Sequence, residues 1–331
     1  MKEEKQISRR SFLKTTAALT LAGTTGSLAL PEKAQAKAGA YTTLIDLTRC
    51  DGCQGEAMPK CVEACRLKNR AQFPVPQKPI RDLWPHKKHD DWSDRQGVSD
   101  QLTPYNWTTV QRVQVDQEEV FIPRRCMHCD NAPCANLCPF GALNKYKDSA
   151  VVINHDLCMG GAKCQDVCPW RIPRRQSGVG IYLKIQPLPA GGGVMYKCDL
   201  CHDLIAKGEP PACVSACEKR LGAKRPLYFG TRGEMLAMAE NRVKEIGGYL
   251  YGKDENGGTA TLYVSRVPFE EITARLKEKK DALLMQKVEP RLKETNQLAG
   301  GFLLAPLAAA AGAAGLAFLK KRKELKEKNH G

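Results

Sequence analysis

The chain has 331 residues, enough for one large domain or two ordinary ones, yet only 6% of them are aromatic while 15 are cysteine. A fold held by apolar burial alone is a poor match for that composition, which leaves cross-links or bound metal. The net charge of +15 invites a nucleic-acid reading, but residues 1–36 contribute +3 and residues 320–331 contribute +4, so the body carries only +8.

At the N-terminus, Ser8-Arg9-Arg10-Ser11-Phe12-Leu13-Lys14 precedes an uncharged stretch from Thr15 to Pro31 and then Ala34-Gln35-Ala36. The pattern resembles a twin-arginine signal peptide over 1–36, read at Arg9 and Arg10 and cleaved after Ala36. Next, Leu44-Ile45-Asp46-Leu47-Thr48-Arg49 predicts a short strand delivering the first cysteine group: Cys50, Cys53, Cys61 and Cys65. Residues 66–120 read as an insertion holding Trp84, Trp92 and Trp107. It either docks a partner or packs over the first cysteine group. His86 and His89 sit there among Lys and Asp, as in a solvated loop.

The second group is Cys126, Cys129, Cys134 and Cys138, followed by Pro139. Gly141-Ala142-Leu143 and Val151-Val152-Ile153 predict a hairpin turning at Asp148-Ser149. Residues Val152 to Leu157 then lead into the third group, Cys158, Cys164 and Cys168, where Gly161 stands in place of a second ligand. The fourth group is Cys198, Cys201, Cys213 and Cys217. A helix is predicted from Thr231 to Glu245 and a charged helix over 270–295. From Leu298 to Leu319 no residue is charged, and Lys320-Lys321-Arg322-Lys323 follows at once. That predicts a single transmembrane helix over 298–319, with 320–331 as a basic cytoplasmic tail.

Each cysteine group reads C-x-x-C, a variable gap, then C-x-x-x-C, apart from the missing ligand in the third. Three close thiolates wrap a loop around one face of an iron–sulfur cubane, and the fourth, a helical turn on, serves the other cluster of a pair. Disulfides fit poorly with an odd cysteine count and crowded thiols, and zinc gives no reason for C-x-x-x-C-P. Cys198-Asp199-Leu200-Cys201-His202 also matches a c-type haem attachment pattern, but haem there strands Cys213 and Cys217. About four clusters of roughly −2 each nearly cancel the charge of the body, so none is left to call for nucleic acid. The export signal agrees, because the twin-arginine route carries folded chains with cofactors in place, while an oxidising compartment attacks free thiols. With Gly161 offering no ligand, the third group should hold a 3Fe–4S cluster. The alternative is a complete 4Fe cluster with water or another side chain on its fourth iron.

In this order the groups resemble the ferredoxin-like iron–sulfur subunits of the dimethyl-sulfoxide reductase family, notably those beside periplasmic hydrogenases, formate dehydrogenases and multihaem cytochrome complexes. The residues that carry this are Arg125-Cys126-Met127-His128-Cys129, Pro133-Cys134, Cys138-Pro139, Lys197-Cys198-Asp199-Leu200-Cys201, Pro211-Ala212-Cys213-Val214, Tyr228-Phe229-Gly230 and Val267-Pro268-Phe269. Arg66 and Glu218 depart from it, standing where Pro is common. The resemblance implies one cluster on Cys50, Cys53, Cys61 and Cys217, and a second on Cys126, Cys129, Cys134 and Cys168. A third falls on Cys138, Cys158 and Cys164, within the inner part of the chain of clusters, and a fourth on Cys198, Cys201, Cys213 and Cys65. The cofactors are then three 4Fe–4S clusters and one 3Fe–4S, or four 4Fe–4S.

The implied fold is α+β, two interleaved bacterial-ferredoxin-like modules with loop insertions plus one C-terminal transmembrane helix. Residues 37–125 form the first ferredoxin half, 126–175 the second module, 176–269 the half completing the first, and 270–297 a helical linker to the anchor. The implied function is an electron-transfer subunit rather than an enzyme. It would lie on the periplasmic side of the cytoplasmic membrane, between a periplasmic catalytic subunit (hydrogenase or molybdopterin enzyme) or multihaem cytochrome c and an integral membrane subunit handling quinone. The rivals are a cluster-bearing reductase using His155 or His202 as acid or base, and a soluble periplasmic carrier.

Overall fold

The computed structural model describes residues 40–81, 89–184 and 192–292. In chain order these form β1 (Tyr41–Asp46), α1 (Lys60–Asn69), β2 (Thr109–Val115), β3 (Glu118–Arg124), α2 (Pro133–Asn136), β4 (Leu143–Lys145), β5 (Val151–Ile153) and α3 (Lys163–Asp166). There follow β6 (Arg174–Gln176), β7 (Val194–Tyr196), α4 (His202–Ile205), α5 (Ala212–Leu221), β8 (Leu227–Thr231), α6 (Arg232–Ile246), β9 (Tyr249–Tyr251), β10 (Thr261–Ser265) and α7 (Phe269–Lys277).

Four strands make one sheet in the order β8-β1-β10-β9, with β1 parallel to β10 and antiparallel to β8. Side chains alternate across a strand, so β1 serves two layers. Leu44, with Leu262 and Val264 of β10, packs on Met235 and Ala239 of α6, whereas Ile45 and Tyr263 face the larger core that contains the cysteines. The helix expected from Thr231 is α6. Thr231 caps it, accepting from the Glu234 amide at 3.4 Å while Glu234 accepts from the Thr231 amide at 2.9 Å.

The end of β1 is pinned by one buried carboxylate. Asp46 accepts from the Thr48 amide at 3.0 Å and its hydroxyl at 2.6 Å, and pairs with Arg242 at 2.9 Å and Arg49 at 3.2 Å. That closes the short turn Leu47–Arg49 and hands the chain to Cys50 at a set angle. The hairpin expected after the second cysteine group is β4–β5, paired Leu143 to Ile153 and turned where Ser149 adopts φ +76°.

The remainder of the insertion before β2 packs on the side of the third and fourth cysteine groups. Ser177 donates to Asp90 O at 2.8 Å, Trp92 N–H to Gln176 Oε1 at 2.8 Å, and Gln77 to Gly178 O at 2.8 Å. Trp107 is buried against His155 and Tyr196, the approaches to Cys158 and Cys198. The insertion also reaches the first cysteine group: Val110 of β2 lines the cavity shared by Cys50, Cys53, Cys61 and Cys217, and Glu119 accepts from Gln54 Nε2 at 2.8 Å. Arg66 ties it down from α1, donating to Tyr105 O at 3.0 Å and Gln96 O at 2.8 Å. Trp84 and His86 lie outside the described residues.

Two expectations about the C-terminal part are corrected. The charged helix ends at Lys277, because Leu283, Met285 and Val288 bury at intervals unsuited to a helix and the backbone polar groups there find partners in the body. Arg124 donates to Leu284 O at 3.1 Å, Tyr251 to Gln286 O at 2.8 Å, and Asn256 N–H to Val288 O at 2.8 Å. The fold class loses its transmembrane helix and the location its single-pass C-terminal anchor. Among the described residues no helix is long and apolar enough to cross a membrane, and residues 298–319 lie outside them.

Candidate metal centres

All 15 cysteines are free thiols within the described residues, so no disulfide competes for them. Cys50, Cys53, Cys61 and Cys217 line one cavity. The turn after β1 supplies Cys50, the start of α1 supplies Cys61, and α5 supplies Cys217. Burial above all, then Cys217 and Cys53 nearby, pushes the Cys50 thiol up to about 12. In the second set burial, reinforced by Cys126 and Cys168, pushes Cys134 up to about 12, and Cys129 is raised by burial beside Cys126, Cys168 and Cys134.

Cys158 and Cys164 are both raised by burial with Cys138 among their neighbours. Cys65 is raised by burial and by Cys198, Cys213 and Cys201, although it comes from α1 and they follow it by over 130 residues. Further proximities link the sets. Cys213 acts on Cys61, Cys126 on Cys198, and Cys134 on Cys164.

The loops between ligands turn their amides toward sulfur. Cys53, His128, Leu200, Cys201 and Ala162 all adopt positive φ, the conformation that makes concave arrays of N–H donors. Lys60 donates to Cys53 Sγ at 3.4 Å, His128 N–H to Cys126 Sγ at 3.5 Å, Ile172 to Cys168 Sγ at 3.5 Å, Met195 to Cys158 Sγ at 3.3 Å and Leu200 to Cys198 Sγ at 3.4 Å. Such bonds favour the thiolate, offsetting part of the burial that raises each thiol.

Among the described residues no three Cys, His, Asp or Glu side chains converge as ligands for one metal ion. Zinc needs its donors about 2.3 Å from a single atom. Four thiols around one cavity, as at Cys50, Cys53, Cys61 and Cys217, suit a multi-iron cage instead. Cys198 and Cys201 are buried among Cys65 and Cys213, so the haem pattern is not presented to a macrocycle. The residues fit iron–sulfur clusters.

Gly161 is exposed while Cys158 and Cys164 are buried. A Cβ there would meet only Phe140 Cε2 at 3.9 Å. Its neighbour Gly160 has φ +67° and would put a Cβ 2.5 Å from Gly193 O. The backbone requires glycine at 160 and not at 161.

Three buried polar side chains around the thiols are not evident from cysteine spacing. His128 Nδ1 accepts from the Val151 amide at 3.0 Å, which leaves the proton on Nε2, 3.6 Å from Cys198 Sγ. Burial first, then Lys197, Lys145 and Arg125, holds its pKa well below the ordinary imidazole value. Lys197 donates to Cys198 O at 3.0 Å and to Val151 O. Arg125 donates to Cys213 Sγ at 3.1 Å. The available signal is a basic residue directly before the C-x-x-C pairs, in Arg125-Cys126 and Lys197-Cys198. The two candidate acid–base histidines have structural surroundings: the His155 ring lies tilted against Tyr196 with centroids 4.5 Å apart, and His202 Nδ1 meets Asp148 at 2.5 Å against the Tyr146 ring.

Residues 49–142 and 117–224 each match a family profile described as a 4Fe-4S dicluster domain. A protein of Nitratidesulfovibrio vulgaris Hildenborough is 31% identical over 277 residues, covering 80% of this chain, which spans 65% of that relative's length. The Hydrogenase-2 operon protein HybA of Escherichia coli is 30% identical over 308 residues, covering 80% of this chain and 83% of its own. The chain belongs to the 4Fe-4S dicluster family of iron–sulfur subunits. The iron–sulfur subunit of the nitrate-inducible formate dehydrogenase of Escherichia coli is another member, 30% identical over 253 residues, with 72% of this chain and 73% of its own covered. As a dicluster subunit the chain is an electron-transfer protein with sites for several 4Fe–4S clusters. Residues 6–26 match the twin-arginine translocation signal, which supports periplasmic export.

Proposed function

We propose that the chain relays electrons through four cluster sites arranged in the order first, fourth, second, third. What carries this reading is the unbroken series of neighbouring thiols: Cys61 with Cys213, Cys198 with Cys126, and Cys164 with Cys134. Cys50, Cys53, Cys61 and Cys217 hold the first cluster, and Cys65, Cys198, Cys201 and Cys213 the fourth. Cys126, Cys129, Cys134 and Cys168 hold the second, and Cys138, Cys158 and Cys164 the third. In this order the ligand-poor third site ends the series, instead of lying within it as the resemblance implies. When bound, each cluster supplies one-electron chemistry with a potential set by burial, charge and hydrogen bonds to sulfur.

Two interleaved modules follow from this ligand set: residues 37–125 with 176–269, and 126–175. Because Gly161 contributes no ligand, the third site holds 3Fe–4S and the other three 4Fe–4S. Arg9 and Arg10 carry the export signal, which is removed after Ala36. The partners are a periplasmic hydrogenase, a molybdopterin enzyme or a multihaem cytochrome c at one end, and an integral membrane subunit handling quinone at the other. The relatives, a hydrogenase-2 operon protein and a formate dehydrogenase iron–sulfur subunit, support this class of partner.

The test is iron analysis and low-temperature EPR of the anaerobically purified chain, with electron passage followed by rapid freezing in the complex. Four centres should be present, one of them a 3Fe signal in the oxidised sample. Cys201→Ser, in the second place of the series, should halt passage between the end sites while preserving their signals. Undiminished passage in that variant would sink the relay order.

A further inference from the structure

Arg125 is among the largest fully buried side chains, 2% exposed, directly before the second cysteine group. Its guanidinium does not turn to that group. Nη1 donates to Cys213 Sγ at 3.1 Å, 88 residues away in sequence and part of the fourth set. Nε and Nη2 are buried and have no hydrogen-bond partner among the protein's atoms. Leaving two charged donors unsatisfied in an interior costs too much to be incidental, so the site is built for acceptors the polypeptide does not supply.

We propose that Arg125 sets the potential of the fourth cluster, donating through Nη1 to Cys213 and through Nε and Nη2 to the inorganic sulfide of that cluster. This rests on the cluster reading above. The physical argument is electrostatic. A fixed cation beside the site favours the state with one more negative charge, and low local polarity enlarges the effect. The guanidinium is positive before the electron arrives and remains so afterwards. One electron gained at the fourth site is one lost by its neighbour, and no proton is taken up. Since Arg125 is joined directly to Cys126, a ligand of the second site, its position also fixes the spacing between two adjacent centres. Arg125, although it precedes the second C-x-x-C pair, thus serves the neighbouring cluster.

The experiment uses the full chain with its clusters, produced with 15N-arginine as the only labelled residue and reduced until the fourth site is paramagnetic. Pulsed EPR should show a 15N coupling on one 4Fe centre, absent in Arg125→Gln. The same variant should lower that centre's reduction equilibrium at least tenfold, or about 59 mV for one electron. The other centres should move much less, and Arg125→Lys should recover most of the loss. An uncoupled fourth centre in the wild type, or an unchanged potential in Arg125→Gln, overturns the proposal. If Arg125→Gln does not assemble, the wild-type coupling decides in its place: present supports the proposal, absent overturns it. A wild-type chain that holds fewer than four clusters is a different failure, that of the cluster reading itself.

Discussion

Restoring the missing ligand gives a sharp test of why the third site differs. Gly161→Cys places a thiol midway between Cys158 and Cys164, at an exposed position whose Cβ meets nothing closer than Phe140 Cε2 at 3.9 Å. Since φ at 161 is not in the left-handed region, the substitution should change stability by no more than about 0.5 kcal/mol. Iron should rise from about 15 to about 16 atoms per chain as a 3Fe site becomes 4Fe. Gly160→Cys is the control, one residue away. At φ +67° and 2.5 Å from Gly193 O, it should cost about 1–3 kcal/mol from backbone strain alone. Overpacking adds to that, so the site should weaken and not improve. Iron analysis and the EPR signal of the oxidised sample report both variants, and thermal denaturation separates strain from ligation. If Gly161→Cys keeps a 3Fe signal at full iron occupancy, or the wild type already holds a fourth iron there, the reasoning from the missing thiol fails.

Other outcomes follow from single contacts. His128→Leu leaves the buried Val151 N–H without its 3.0 Å acceptor and should cost about 1–3 kcal/mol, read by denaturant unfolding of the cluster-loaded chain. An unchanged midpoint would mean that the imidazole does not hold β5. Asp91 seats the insertion, accepting from Lys78, from Ser93 at 2.9 Å and from Gln176 at 2.9 Å. Burial pushes its pKa up, but those hydrogen bonds outweigh it and hold it below the ordinary carboxylate range. The stability it adds is therefore complete above about pH 4 and lost as pH falls through the lower folded value. At neutral pH only a substitution removes it, and Asp91→Ala should speed proteolysis within residues 70–105. Equal cleavage rates at pH 7 would count against that seat. Replacing Arg9 and Arg10 by Lys should leave a cytoplasmic precursor carrying its clusters, and processed periplasmic protein from that variant would refute the twin-arginine assignment.

The sequence by itself determined what depends on neighbours along the chain. Cysteine spacing marked the ligand loops because a cluster must be wrapped by consecutive residues, and the left-handed positions at His128 and Leu200 lie inside those loops. The β4–β5 hairpin and the capped start of α6 were legible for the same reason, each being set by a turn or cap within a few residues. Which thiols of different groups become neighbours was decided only in three dimensions. α1 brings Cys65 beside Cys198, and the packing of α1 against α5 brings Cys61 beside Cys213. No local rule gives that arrangement, because it depends on where whole elements pack. Burial at Leu283, Met285 and Val288 likewise overrode the charged helical pattern after Lys277. Arg125 is the clearest case. Its sequence position assigns it to the second cysteine group, but its charge is committed to a thiol 88 residues away, because a buried cation goes where tertiary packing supplies its acceptors.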